Sequence, residues 1–303
     1  MTWQEAQIDR LTVDDAELTV GRWGRGDTVV LASHGITANH RSFGQVAWAL
    51  DQLGALDEVT LVAVDHRGRG GSSGHPGPFG IRTHAQDLLA VLDHLGRDRA
   101  VLVGHSMGAF IATLAAEAAP ERVERLVLVD GALPIEVPVP PGADIEEVVR
   151  SVIGPALDRL DTTFASPEAY LEHWRAHPAF QGRAWNDVAE AYFRYDLVDV
   201  GDGWRSPVSK RAVLEDGAGP LQDGAAATAL RRIATPTTLL WAPRGLLDQT
   251  PGLYAPDLVA SATGALPHVT TELVEGTNHY SIAFSEPGAR RIAAHILASD
   301  PAG

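Results

Sequence analysis

Gly104-His105-Ser106-Met107-Gly108 joins a short apolar run, Ala100 to Val103, that reads as a buried strand to an Ala- and Leu-rich run, Phe110 to Ala119, that reads as a helix. A serine on a sharp strand-to-helix turn sits on strained backbone, and its neighbours must be small or strand and helix collide. A hydroxyl is a poor nucleophile at neutral pH, so it needs a base beside it and an acid to orient that base. A base that titrates near neutrality is a histidine. Of the twelve present, His279 is best placed. It lies in Glu275-Gly276-Thr277-Asn278-His279-Tyr280, after the last predicted strand, at the end of a sheet where ligands bind. The acid's role falls to Asp248, in Gly245-Leu246-Leu247-Asp248, which follows the preceding strand. Ser106, Asp248 and His279 in this order point to acyl transfer through a serine.

The elements that would position them alternate. Leu11 to Val13 and Glu17 to Trp23 predict a hairpin turning at Asp14-Asp15, and Thr28 to Ala32 predicts a buried strand ending at His34-Gly35. Phe43, Val46, Ala47 and Leu50 fall at helical spacing within Ser42 to Leu53. Strand Thr60 to Val64, helix Thr83 to Leu95, the elbow strand and strand Val123 to Val129 (ending at Asp130-Gly131) follow. Such alternation predicts a parallel sheet with helices on both faces, an α/β fold. It stops at Leu133, with Pro138, Pro140 and Pro141 marking the exit, and a helical pattern without obvious strands runs to about Leu230. Strands Thr237 to Trp241 and Thr270 to Val274 and a helix from about Glu286 to Leu297 complete the pattern. The expected organisation is a core of residues 1–132 and 231–303, interrupted by a helical lid at 133–230.

Composition narrows the function. With 24 Lys and Arg against 39 Asp and Glu, the net charge of −15 offers no basic patch for a nucleic acid. The absence of cysteine removes disulfides, thiolate metal sites and thiol nucleophiles. No basic-then-apolar leader opens the chain and no apolar run reaches membrane-spanning length, so cytoplasmic residence without a membrane partner is expected. Gly68, Gly70 and Gly71 lack the Lys-Ser/Thr of a phosphate loop and the dinucleotide fingerprint, so no cofactor is expected.

The chain resembles the α/β-hydrolase superfamily, in its lidded branch with esterases, lactonases, epoxide hydrolases and carbon–carbon hydrolases. The likeness rests on His34-Gly35, Asp65-x-Arg67-Gly68-x-Gly70-x-Ser72, the Ser106 elbow, Gly-x-x-Asp at Asp248 and Gly-x-x-His at His279. It covers everything but the lid and implies a mostly parallel, doubly wound sheet. It also implies an oxyanion hole made by the Ile36 and Met107 amides. Trp241-Ala242-Pro243-Arg244 departs from the acidic stretch usual near the catalytic Asp, and Asp130 is the rival acid, because some members of the superfamily carry it there.

The expected substrate is a small, partly apolar ester or lactone, handled by a monomer or homodimer. A carbon–carbon hydrolase of a diketone-type acid would want a lid cation such as Arg175, Arg183 or Arg194. A cofactor-free perhydrolase uses the same triad, and a non-catalytic receptor on the same fold is the alternative outside enzymes. His34 is expected to shape its turn, His105 to pack away from the pocket, and Asp65 and Arg67 to tie loops together. His173 and His177, at i and i+4, have zinc-binding spacing but no third ligand nearby, so a solvated helix face and no metal are expected. The aromatic residues of the lid, Trp174, Tyr192, Phe193 and Tyr195 among them, either line a pocket or hold the lid down.

Overall fold

The apolar strands alternate their side chains between two covered faces. In β3, Val29 and Leu31 point into one hydrophobic cluster, while Val30 and Ala32 point into another. That two-residue period with both faces buried is the mark of a parallel sheet between helical layers. A computed structural model describes residues 4–13, 16–135, 142–222 and 224–298. The hairpin turn predicted at Asp14-Asp15 and the prolines of the predicted exit lie outside these residues.

The strands are β1 (Gln7–Val13), β2 (Ala16–Gly24), β3 (Thr28–Ser33), β4 (Val59–Val64), β5 (Ala100–His105) and β6 (Val123–Val129), with β9 (Thr237–Trp241) and β10 (Val269–Leu273) after a two-stranded excursion. That excursion is β7 (Val198–Asp199) with β8 (Trp204–Arg205), a small hairpin in a region whose sequence shows no strand pattern. The main sheet runs β1-β2-β4-β3-β5-β6-β9-β10, antiparallel at the first two pairings and parallel beyond them. The chain passes from β3 out to β4 and returns on the other side to β5. This reversal opens a crevice at the carboxyl ends of β3 and β5, where open α/β sheets bind ligands.

Helices α1 (Gly44–Gln52) and α11 (Glu286–Leu297) cover one face of the sheet; α2 (Ile81–His94), α3 (Met107–Ala118) and α9 (Pro256–Thr263) cover the other. Between β6 and β9 lie α4 (Ile145–Leu160), α5 (Pro167–Ala176), α6 (Asp187–Tyr195), α7 (Lys210–Gln222) and α8 (Gly224–Ala227). A short α10 (Ser281–Phe284) follows β10. The inserted helices have a core of their own, with Val149, Ile153 and Leu157 of α4 against Val208 and Val213.

Buried polar contacts fasten this insertion to the sheet domain. Asp216 of α7 pairs with Arg69, accepts from His84 Nε2 at 3.0 Å and from the Gly80 N–H, with Arg69, His84 and Asp216 all fully buried. Tyr195 of α6 donates to Asp65 at 2.7 Å. Asp65 and Arg67 do tie loops together, though not to each other: Asp65 also accepts from the His40 and Gly71 amides, and Arg67 forms a two-bonded pair with Asp87 at 2.9 and 2.8 Å.

Candidate active site

Ser106 takes φ 57° and ψ −121°, the strained turn its motif calls for. Each flanking glycine answers a close approach. A Cβ on Gly104 would fall 2.2 Å from the Gly108 carbonyl oxygen, and one on Gly108 would fall 1.9 Å from that of Ser33. Bare backbone is the only solution at both positions. Register does the rest. β5 pairs with β6 so that His105 lies beside Val129, and the Ser106 N–H donates to the Val129 carbonyl at 2.9 Å. The residue after β5 is therefore next to the residue after β6, which is Asp130. Gly131 then runs so close that a Cβ there would sit 2.2 Å from the Ser106 carbonyl oxygen.

His279, from the loop beyond β10, closes the arrangement. Ser106 Oγ lies 3.1 Å from His279 Nε2, and His279 Nδ1 lies 2.7 Å from Asp130 Oδ2. The carboxylate accepts from Nδ1–H, which leaves Nε2 as the acceptor facing the hydroxyl. The other oxygen of Asp130 accepts from the Ala242 N–H at 3.1 Å, and the side chain is fully buried. Both ends of the carboxylate are thus fixed, and the ring with them.

The expectation that Asp248 orients the imidazole is corrected here. Asp248 lies beyond the end of β9, partly exposed, and its Oδ1 accepts from Arg244 Nε at 2.7 Å and Asn278 Nδ2 at 2.8 Å. The adjoining Asn278 side chain accepts from the Tyr280 and Ser281 amides and donates to Ala179 in the insertion. Arg244 donates to the Gly276 carbonyl, while its own carbonyl accepts from the His279 N–H at 3.0 Å. Asp248 braces the loop that carries His279; the rival, Asp130, touches the ring.

Ile36 and Met107 flank the serine from two directions. Met107 is the first residue of α3, where amide N–H groups have no partner within the helix and the dipole favours negative charge. At Ile36 the peptide plane is set by its neighbour's carbonyl. Gly35 O accepts from His34 Nδ1 at 2.7 Å and from the Ala38 N–H at 3.1 Å, so the Ile36 N–H of the same trans peptide points the opposite way. Among the described residues neither amide has a hydrogen-bond partner. His34 shapes its turn as expected; burial holds it down at about 3, so it stays neutral.

His105 is a residue whose part the sequence hid. Its side chain was expected to pack away from the pocket, yet it borders the cavity. Its Nε2–H donates to the His279 carbonyl at 2.8 Å, with ring centres 4.9 Å apart. Burial lowers it to about 3, so it adds no positive charge beside the imidazolium that His279 would become. The alternation of strand side chains would have placed it beside Ser106 only if the bend after β5 were already known.

The cavity over Ser106 is lined mostly by apolar residues. Trp174, Phe180, Tyr192 and Phe193 of the insertion form one wall, so the aromatic residues there do line a pocket. Tyr195 instead holds the insertion to Asp65. Among the described residues no Arg, Lys, Asp or Glu borders this cavity. Arg175 and Arg194 pair with Glu190 on the exterior, Arg183 borders a different, outer groove, and buried Arg159 is engaged by Asp196 and Tyr170. His173 is exposed, and His177 accepts from the Ala179 N–H.

An elbow serine between β5 and α3, with an imidazole and a carboxylate brought to it by later strand ends, defines a class of hydrolase fold. The chain belongs to the alpha/beta hydrolase fold family, whose model matches residues 28–285. Its relatives are hydrolases. Lipase LipV of Mycobacterium tuberculosis is 33% identical over 57% of each chain, and the putative carbamate hydrolase RutD of Caulobacter segnis is 37% identical over 40% of this chain and 44% of that one. The chain thus spans about half the length of these two relatives. A 2-(acetamidomethylene)succinate hydrolase of Mesorhizobium japonicum is 27% identical over 89% of this chain and 88% of that one. The crystal structure of an E-2-(acetamidomethylene)succinate hydrolase superposes with a TM-score of 0.76 at 22% identity, covering 96% and 99% of the two chains. No helix among the described residues is long and apolar enough to cross a membrane.

Proposed function

We propose that the protein is a serine hydrolase of small, uncharged carboxylic esters, working through an acyl-enzyme on Ser106. The observation that carries this is the continuous chain from Ser106 Oγ through His279 to Asp130, at 3.1 and 2.7 Å, beneath a cavity without charged side chains. In the proposed reaction His279 Nε2 takes the Ser106 proton as Oγ attacks the ester carbonyl. Asp130 stays ionised and stabilises the imidazolium. The Ile36 and Met107 amides receive the negative charge that develops on the carbonyl oxygen, each worth about 10²–10³ in rate where such donors have been removed. His279 then protonates the departing alcohol, and water attacks the acyl-enzyme by the same proton path.

The lining favours esters over a diketone-type acid. A carboxylate drawn into this cavity would lose its water and meet no Arg or Lys among the described residues, a cost of several kcal/mol. Lactones fit the same chemistry. The inserted helices would serve as a lid that keeps water from the acyl-enzyme. The test is labelling with a fluorophosphonate, together with hydrolysis of p-nitrophenyl acetate and butyrate by wild type and Ser106→Ala. Labelling confined to Ser106 with turnover lost in the variant is the expected result. Labelling without turnover would replace the enzyme with a receptor, and preference for a dicarboxylic substrate would overturn the uncharged-ester assignment.

A further inference from the structure

Two apolar cavities meet at Ser106, and they differ in kind. The first, of ≈ 60 Å³, contains His279 and the aromatic wall of Trp174, Phe180, Tyr192 and Phe193. The second, of ≈ 50 Å³, lies toward α4 and α7 and is lined by Met107, Phe110, Val149, Pro220 and Leu221, with no histidine. Both include Ser106, Ile36 and Ile153. The two halves of an ester have different needs at such a junction. The departing oxygen must come within hydrogen-bond reach of His279 Nε2 to receive its proton, so the alcohol must lie on the side that holds the imidazole. The acyl chain stays on Oγ and needs only space beyond the nucleophile.

Resting on the proposed function, we infer that the cavity walled by Trp174, Phe180, Tyr192 and Phe193 seats the leaving alcohol and the cavity between α4 and α7 seats the acyl chain. The acyl side is short. A Cβ on Gly217 of α7 would come 2.6 Å from Val149 Cγ2 and 3.4 Å from Ile36 Cδ1, so the two helices already press together around it. The alcohol side presents ring faces and edges, which favour a flat leaving group over a saturated one of equal size by roughly two- to twelvefold. The substrate class is therefore a short-chain acyl ester of an aromatic or other planar alcohol.

The test varies one half of the ester at a time. Benzyl acetate is expected to exceed cyclohexylmethyl acetate about fivefold in kcat/KM, while methyl phenylacetate falls well below methyl butyrate. The half-exposed Leu221 tolerates a larger ring, so Leu221→Phe should lower the butyrate-to-acetate ratio about tenfold and leave the benzyl preference in place. Tyr192→Leu should slow acylation by benzyl acetate more than acylation by methyl acetate, because only the first places a ring against that wall. Ring preference on the acid side, or Leu221→Phe altering the alcohol preference, overturns the assignment. Failure of every ester together with absence of labelling at Ser106 would instead sink the hydrolase reading beneath it. Wild-type ring preferences decide the matter even if neither variant folds.

Discussion

Asp130 and Asp248 each follow a parallel strand, each sits at positive φ (46° and 61°), and each binds the segment that carries His279. One is fully buried and meets the imidazole; the other is partly exposed and meets Arg244 and Asn278. The difference lies in what already neutralises them. Asp248 has a permanent cation four residues away, so its charge is satisfied before any reaction begins. Among the described residues Asp130 has a backbone amide and the Nδ1–H as its side-chain partners, and in the proposed reaction its charge is available to the imidazolium. In a buried site of low dielectric, that reserve is worth more than the same charge near water. In the proposed reaction, the carboxylate that serves the imidazole is the one that lacks a partner of fixed charge.

The largest effect that would break this contrast is in turnover. Asp130→Asn should cost about 10⁴ in kcat, the loss expected when the base is left in the wrong tautomer. Equal loss on changing Asp248 would erase the distinction between the two sites. A second effect concerns the grip on the backbone of His279, whose N–H is held from the Asp248 side by Arg244 and whose carbonyl is held from the Ser106 side by His105. Burial keeps His105 neutral down to about 3, against 6.5 when unfolded, so the unfolded chain binds the extra proton between those values. Stability is therefore lost as pH falls from about 6.5 toward 3, at up to about 1.4 kcal/mol per pH unit for this group. His34 and His66 act with the same sign. Urea unfolding at stepped pH should show the slope reduced by about that amount in His105→Gln, and an unchanged slope would contradict it. The smallest effect belongs to Asp248→Asn. A half-exposed pair is worth under about 1 kcal/mol, so kcat should fall by less than about tenfold and the melting temperature by a few degrees at most.

How much of this was legible depended on distance along the chain. The elbow is local: five residues specify the strain at Ser106, and both glycines show why. His279 was legible because a short loop after the last strand leaves few places for it. The acid was not, because two aspartates each followed a strand and the deciding fact is strand order. Once β5, β6 and β9 are known to be neighbours, Asp130 falls beside Ser106 by register alone. Arg244, four residues before Asp248, was the visible warning that this carboxylate was otherwise occupied. Alternation also gave the parallel sheet, with strand Val123–Val129 matching to the residue. It could not give β7 and β8, two residues each and too short for any period to register.

Arg69 joins two things that are otherwise far apart in the chain. Its Nε donates to the Ile36 carbonyl, and its Nη1 donates to both the Arg67 carbonyl and the carboxylate of Asp216 on α7. Swinging α7 outward as a rigid door would strand that guanidinium and Asp216 without each other in a dry interior. Parting such a pair costs about 3–5 kcal/mol, which leaves the open form at roughly one molecule in a few hundred to a few thousand. Rotation of individual side chains in the roof, which leaves this pair intact, is a less costly path to Ser106 than swinging α7.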